Sequence, residues 1–446
     1  MNFGRWMAAA LLAAGCSGAE QGQVEGGPTY NQDVAPILAE HCGACHQDGG
    51  IAPFSVATYA QASPWADAIV ASVDEGRMPP FFAVSDDECD MQIGFQDDNH
   101  LSDDEKQLLH DWADAGAPEG EPAGPAALPA PDHLDAPDAV LSLQSPYEVT
   151  GDRDIYRCFR VEVGNTEDVW ITGLEVIPDN DLVVHHVLVW NDPEDQSAGR
   201  AGADGSYPCS GEPDVWPTEL VAAWTPGGSP MRAPDDAGTL FHPGASLVVN
   251  VHYHPTGTTT EIDQSQIALK WTKTQPAHHT TWYLVDIPFG AHPADGKFEI
   301  PAGASDHTET VSLEIPTYVP WDLTVFAITP HMHYLGNEML VTLHHGGDDE
   351  CLVHTPGYRF DFQTSYLYDP QTGSLPVISP GDTIDVRCTY DNSRSNPYLD
   401  LNLQASGADE PQTVWWGEET SDEMCMAMVG LVIPPVDWLD LAGAFF

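Results

Sequence analysis

Leu182-Val183-Val184-His185-His186-Val187-Leu188-Val189-Trp190 is an apolar run broken only by two adjacent imidazoles. A run this short, rich in β-branched residues, reads as a strand buried on both faces. Runs of the same kind recur at 168–172, 247–253, 323–328, 339–343 and 383–390, with turn residues between them at the intervals of sandwiches and jelly rolls. No repeat of fixed period joins them. From residue 138 onward the chain therefore reads as mainly β.

Upstream the period changes. Val34, Ile37 and Leu38 share one helical face, and Trp65, Ile69 and Val73 recur every fourth residue between a Ser63-Pro64 start and a Gly76 stop. Ser102 and Glu105 form a capping-box pattern ahead of Leu108, Leu109 and Trp112, closed by Gly116. Residues 29–116 thus read as a small all-α domain, and the Pro- and Ala-rich segment 117–137 as a semi-rigid linker, long enough to let that domain swing or dock.

Within the helical region, Cys42-Gly43-Ala44-Cys45-His46 is the c-type haem attachment pattern, in which two thiols add to the haem and the adjacent His supplies an axial nitrogen. Met78, in the Pro-stiffened segment Gly76-Arg77-Met78-Pro79-Pro80, is the expected second axial ligand, because the context resembles monohaem cytochrome c. A redox pair or half a zinc site is the competing reading of Cys42 and Cys45, but no second Cys pair follows at zinc spacing.

The β region carries its own donors. His185 and His186 lie inside the opening run, His252 and His254 follow 247–251, and His331 and His333 follow 323–328. Residues i and i+2 of a strand face the same side, so His331 with His333, or His252 with His254, suits one metal ion. The adjacent His185 and His186 need a local distortion such as a bulge to do the same. Imidazole suits copper and zinc, and a thioether beside two imidazoles favours reduced copper.

The chain has 446 residues, 69 acidic and 14 basic, for a formal charge of −55. Nucleic acid and anionic membrane surfaces are therefore excluded as partners, and so large an excess suits a salty habitat, where counterions screen it. The longest apolar run in the N-terminal region, 7–15, is too short to span a bilayer and has the layout of an export signal. It ends in Ala13-Ala14-Gly15-Cys16, which resembles the lipobox of bacterial lipoproteins, with Cys16 as the lipidated residue. The expectation is an exported protein, periplasmic or at the outer membrane, whose membrane attachment is limited to an N-terminal anchor. The remaining cysteines would then occupy an oxidising compartment.

Val184-His185-His186-Val187-Leu188, Val251-His252-Tyr253, His331-x-His333-x-Leu335-Gly336 and Ser421-Asp422-Glu423-Met424-Cys425 follow one another in an order and spacing that resemble the type II copper, ascorbate-dependent monooxygenases, the peptidylglycine and dopamine hydroxylating enzymes. The resemblance spans about 140–435. It implies two consecutive antiparallel jelly-roll β-sandwich domains, at 138–278 and 279–446, each holding one copper across an open, solvent-filled cleft. It implies that His185, His186 and His252 hold the electron-donating copper. His331, His333 and Met424 would hold the copper that reacts with dioxygen. His254 has no counterpart in the family and is expected in a supporting or surface role. The resemblance also selects Cys158 with Cys209 and Cys388 with Cys425 from the many possible pairings, leaving Cys89 and Cys351 either paired across domains or reduced.

The departures concern substrate. Where peptidylglycine enzymes carry an Arg for the substrate carboxylate this sequence has Thr329, and where they carry Asn and Tyr after the Met ligand it has Met426 and Met428. The expected substrate is a small or apolar molecule. The whole reads as an exported copper monooxygenase with two copper ions and one covalent haem c, using dioxygen and an electron donor, either ascorbate or a periplasmic redox protein. The alternative is an electron-transfer or copper-binding lipoprotein without turnover.

Overall fold

The computed structural model describes residues 27–437 except 49, 131 and 152, so the export signal and Cys16 lie outside the described residues. Among those described, no helix is long and apolar enough to cross a membrane.

The helical region forms where its apolar spacing places it. Helices Ala35–His41, Ala66–Asp74 and Asp103–Asp114 enclose Tyr30, Leu38, Leu109 and Trp112. The capping box is complete: Ser102 Oγ accepts from Glu105 N at 3.3 Å while Glu105 Oε2 accepts from Ser102 N at 2.8 Å.

The rest is mainly β. A five-stranded sheet orders Ser206–Pro208, Ile155–Glu162, Ser246–Tyr253, Val184–Asp192 and Glu219–Trp224. Its apolar face shares one core with Val169–Ile177, Ala237–Phe241 and Gln266–Thr272. A second five-stranded sheet orders His292–Pro293, His307–Glu314, Thr383–Tyr390, Gly336–His345 and Asp348–Thr355. It encloses another core with Leu323–His331 and Met426–Ile433. The strands opposite the two five-stranded sheets belong to one ten-stranded sheet, joined where His278 and His279 pair in parallel with Ala237 and Gly238.

The helical module is docked, the second of the two arrangements that the linker allows. Its linker is bonded at both ends. Tyr30 N donates to Pro118 O and Ala126 N to Ala57 O, while Leu134 N and His133 Nδ1 bond the Glu175 carboxylate. In addition, residues 79–100 leave the module as an arm across the second core. Val84 N donates to His354 O, Gln96 N to Leu367 O, and the Phe95 ring stacks on Tyr368 at 5.0 Å. Cys89 and Cys351, undecided from sequence, form the disulfide that staples this arm. The pairs Cys158–Cys209 and Cys388–Cys425 are also disulfides.

With a net charge of −55, self-repulsion opposes this compact arrangement. The unfolding temperature should rise as salt increases from about 0.01 M to about 1 M and the Debye length contracts from about 30 to about 3 Å. A flat thermal profile across that range would show that the surface charges are already neutralised locally.

Candidate metal centre

The register explains how adjacent histidines meet one partner. His252 pairs with His186, but the next pair is Tyr253 with Val184, so His185 is the extra residue of a bulge. The bulge turns the ring of His185 toward its neighbours instead of to the opposite face. His185 Nδ1 lies 3.2 Å from His186 Nδ1, and His252 Nδ1 lies 3.3 Å from the same atom. Burial, reinforced by His252, holds both His185 and His186 well below the usual imidazole range. The rings are therefore neutral and present lone pairs, the form that a metal requires. Tyr156 stacks flat on His252, with centroids 4.3 Å apart.

His331, His333 and Met424 converge by a different route. The strand Leu323–His331 runs antiparallel to Met426–Ile433 with His331 opposite Met426. Beyond the strand ends, His333 and Met424 line one cavity with His331. His331 Nδ1 is engaged by Gln363 Oε1 at 2.6 Å and His333 Nδ1 by the Asp422 carbonyl at 3.1 Å, which leaves Nε2 of each ring for a metal. Burial pushes His331 down to about 4 and His333 to about 3. Glu423, fully buried, accepts from His333 N at 2.9 Å and from Leu335 N at 2.6 Å and so shapes the turn that carries the pair.

The open cleft implied by the resemblance is closed here. The rings of His186 and His331 stand 6.3 Å apart. Three contacts hold the two halves together: Thr420 Oγ1 donates to Asp154 Oδ2 at 2.6 Å, Thr225 Oγ1 donates to Gln363 O at 3.0 Å, and His185 stacks on Phe360 at 4.8 Å. Asp154 also lies 3.2 Å from His252 Nε2, without the alignment of a hydrogen bond, and 2.8 Å from His254 Nδ1. His254 thus supports the site through Asp154. One cavity is lined by His186, His331, His333 and Met424 together, with Met426 and Met428 on its wall and Thr329 turned to Ser365.

Cys42, Cys45 and His46 lie in one turn after the first helix, both thiols unpaired. His46 Nδ1 bonds the Phe54 carbonyl at 3.1 Å, which leaves Nε2 for an axial bond. These residues fit a haem c. Met78 sits in the loop after Ala66–Asp74, its N bonded to Ser72 O. The attachment segment faces the first sandwich: a Cβ on Gly227, which has φ +80°, would stand 3.6 Å from Cys45 Sγ.

Sequence reasoning missed Asp154, Gln363 and the supporting role of Glu423. Only Glu423 carried a signal, since it adjoins Met424 in a quoted motif.

Residues 299–432 match the family model described as copper type II ascorbate-dependent monooxygenase, C-terminal domain. The match includes His331, His333 and Met424 and stops short of the three-histidine set. No curated protein matches the chain. Among solved structures, the infectious bursal disease virus VP2 subviral particle is 9% identical, covering 69% of this chain and 74% of that one at TM-score 0.19. The spike protein P1 of bacteriophage PM2 is 8% identical, covering 68% and 99% at TM-score 0.12. Oxalate decarboxylase from Bacillus subtilis is 8% identical, covering 70% and 84% at TM-score 0.13. Scores this low carry no weight for the fold. The match is to the C-terminal domain of the copper type II ascorbate-dependent monooxygenases and supports that family for residues 299–432.

Proposed function

We propose that the chain is an exported haem–copper oxidoreductase that hydroxylates a C–H bond of a small organic substrate with dioxygen. The observation that carries this reading is the convergence of three imidazoles, His185, His186 and His252, beside a cavity lined by His186, His331, His333 and Met424. In this reading each set holds one copper, each copper supplies one electron when bound, and Cys42, Cys45, His46 and Met78 hold the haem. The protein's own part is to hold the six ligands in place. Gln363 and the Asp422 carbonyl fix the tautomers of His331 and His333, while the closed cleft keeps bulk water from the space between the two sets. The exported chain would be anchored through Cys16.

Metal analysis combined with a reduced-minus-oxidised spectrum tests the reading: two coppers and one haem per chain are expected. A single bound zinc, or a chain without iron, would overturn it. His186 touches both other rings of its set, so His186→Ala should lower copper from two to one per chain while the His331, His333 and Met424 site stays loaded. Equal loss at both sites would refute the assignment of two separate sites. Oxygen uptake driven by an artificial reductant separates turnover from simple electron storage. Met78→Ala should shift the haem toward high spin, and an unchanged low-spin spectrum would remove Met78 from the ligand set.

A further inference from the structure

The turn that carries Cys42, Cys45 and His46 is held by two neighbours. Gly43 abuts the linker, since a Cβ there would stand 3.0 Å from both Leu128 Cδ2 and Pro129 Cδ. The second neighbour is the first sandwich, where a Cβ on Gly227 would stand 3.6 Å from Cys45 Sγ and 3.4 Å from Ile51 Cδ1. Gly227 belongs to Thr225-Pro226-Gly227-Gly228, a turn closed by Gly228 N donating to Thr225 O at 2.9 Å. Its φ of +80° is what a type II turn demands of its third residue, and Pro226 stands before it as such a turn prefers. A glycine at 227 is therefore required twice, by the turn and by the approach of the cysteine.

The same turn leads into the metal centre. Trp224, Thr225, His186 and His331 line one cavity. Trp224 ends the strand Glu219–Trp224 and pairs with Val187, the neighbour of His186 in the three-histidine set. Its indole also lies against the turn, because a Cβ on Gly228 would stand 3.7 Å from Trp224 Cδ1. Thr225 takes the other direction: its Oγ1 donates to Gln363 O at 3.0 Å, and Gln363 Oε1 engages His331 Nδ1 at 2.6 Å. Two consecutive residues thus open two separate connections, one to each set, from a single contact with Cys45. Electron tunnelling decays more slowly along covalent and hydrogen bonds than across an unbonded gap, so both connections suit electron transfer.

We propose that the Thr225–Gly228 turn is a shared electron port from the haem-attachment turn to both copper sets, so that neither set is reduced only by way of the other. The port rests on the haem–copper reading above. Each step moves one electron, from ferrous haem to one Cu(II), which becomes Cu(I), and no bond or proton moves with it. A serial arrangement would instead send every electron for the His331, His333 and Met424 set across from the three-histidine set. The rings of His186 and His331 are 6.3 Å apart, which makes that crossing short as well, so the test removes it.

The test uses full-length protein loaded with haem and copper, with loading checked by metal analysis. It is reduced without oxygen by a small reduced cytochrome too large to enter the cleft. Haem absorbance and the electron paramagnetic resonance of Cu(II) in rapidly frozen samples are read together. In His186→Ala, which keeps copper only at the His331, His333 and Met424 set, the remaining Cu(II) signal should vanish as fast as in wild type, at a rate independent of protein concentration. That variant also identifies which signal belongs to which set. Thr225→Val keeps the side-chain shape but removes the donor to Gln363 O, so it should slow reduction of the His331 set several-fold and leave the three-histidine set unchanged. Gly227→Asn tolerates a positive φ but sets a side chain against Cys45 and Ile51, and should slow both sets. Should Gly227→Asn fail to fold by circular dichroism, Thr225→Val decides. A reduced haem beside a persistent Cu(II) signal in His186→Ala, or unaltered rates in Thr225→Val, overturns the port alone. A chain without haem, or with a single metal site, overturns the haem–copper reading itself.

Discussion

Replacing Glu423 by alanine should cost about 2–6 kcal/mol of unfolding free energy, because two buried backbone donors each lose a partner at about 1–3 kcal/mol. Those donors are His333 N and Leu335 N, held by the two oxygens of one fully buried carboxylate. The loss falls on the turn that presents His333, so the damage should be selective. Copper at the His331, His333 and Met424 set should drop while the three-histidine set stays loaded, since His185, His186 and His252 belong to other strands. Glu423→Gln keeps one acceptor oxygen but points an amide donor at the second backbone N–H, so it should recover only part of the stability. Denaturant unfolding with copper analysis on the same samples reads both effects. An unchanged midpoint in Glu423→Ala would mean that the turn is held by its strands alone.

Local features were legible in the sequence in proportion to how local their causes are. The strand at 184–192 and the capping box at Ser102 depend on residues within a few positions of one another. The bulge at His185 was legible as a requirement: adjacent side chains reach one ion only when the register slips, and it does between His252 and Tyr253. Asp154 was not legible, because its partners His252, His254 and Thr420 come from strands and loops up to 266 residues away. Gln363 reaches His331 from 32 residues downstream in a segment without apolar periodicity.

Closure of the cleft and docking of the helical module have a common basis in long-range polar contacts, which composition does not encode. Asp154 to Thr420 and Thr225 to Gln363 tie the two sandwiches. Gln363 is the shared element, since its carbonyl takes the Thr225 hydroxyl while its side chain takes His331. The loop that carries Thr225 continues to Gly227, where the Cys45 thiol approaches. The Cys42–His46 turn is thus three contacts from His331, through Gly227, Thr225 and Gln363, whereas chain order alone favours the three-histidine set as its neighbour.

The Cys89→Ser/Cys351→Ser double variant should separate the helical module from the second sandwich in thermal unfolding, turning one transition into two. The bond closes a sequence separation of 262 residues, and for a loop that long the chain-entropy argument gives up to about 5 kcal/mol. The arm at 79–100 keeps other anchors, among them a single buried bond from Phe82 N to the Tyr366 hydroxyl at 3.2 Å and a solvent-exposed ion pair of Arg387 with Glu88 at 2.6 Å. Phe81 packs edge-on against Tyr366 at 5.1 Å and adds apolar contact. Without the covalent bond these anchors should hold the arm docked at 25 °C but release it before the second core melts, so protease cleavage within 79–100 should begin below the main transition. Calorimetry and timed proteolysis of the variant beside wild type read the two consequences independently. A single transition with an uncut arm would show that the aromatic and backbone contacts dock the module unaided and that the disulfide stabilises only the second core.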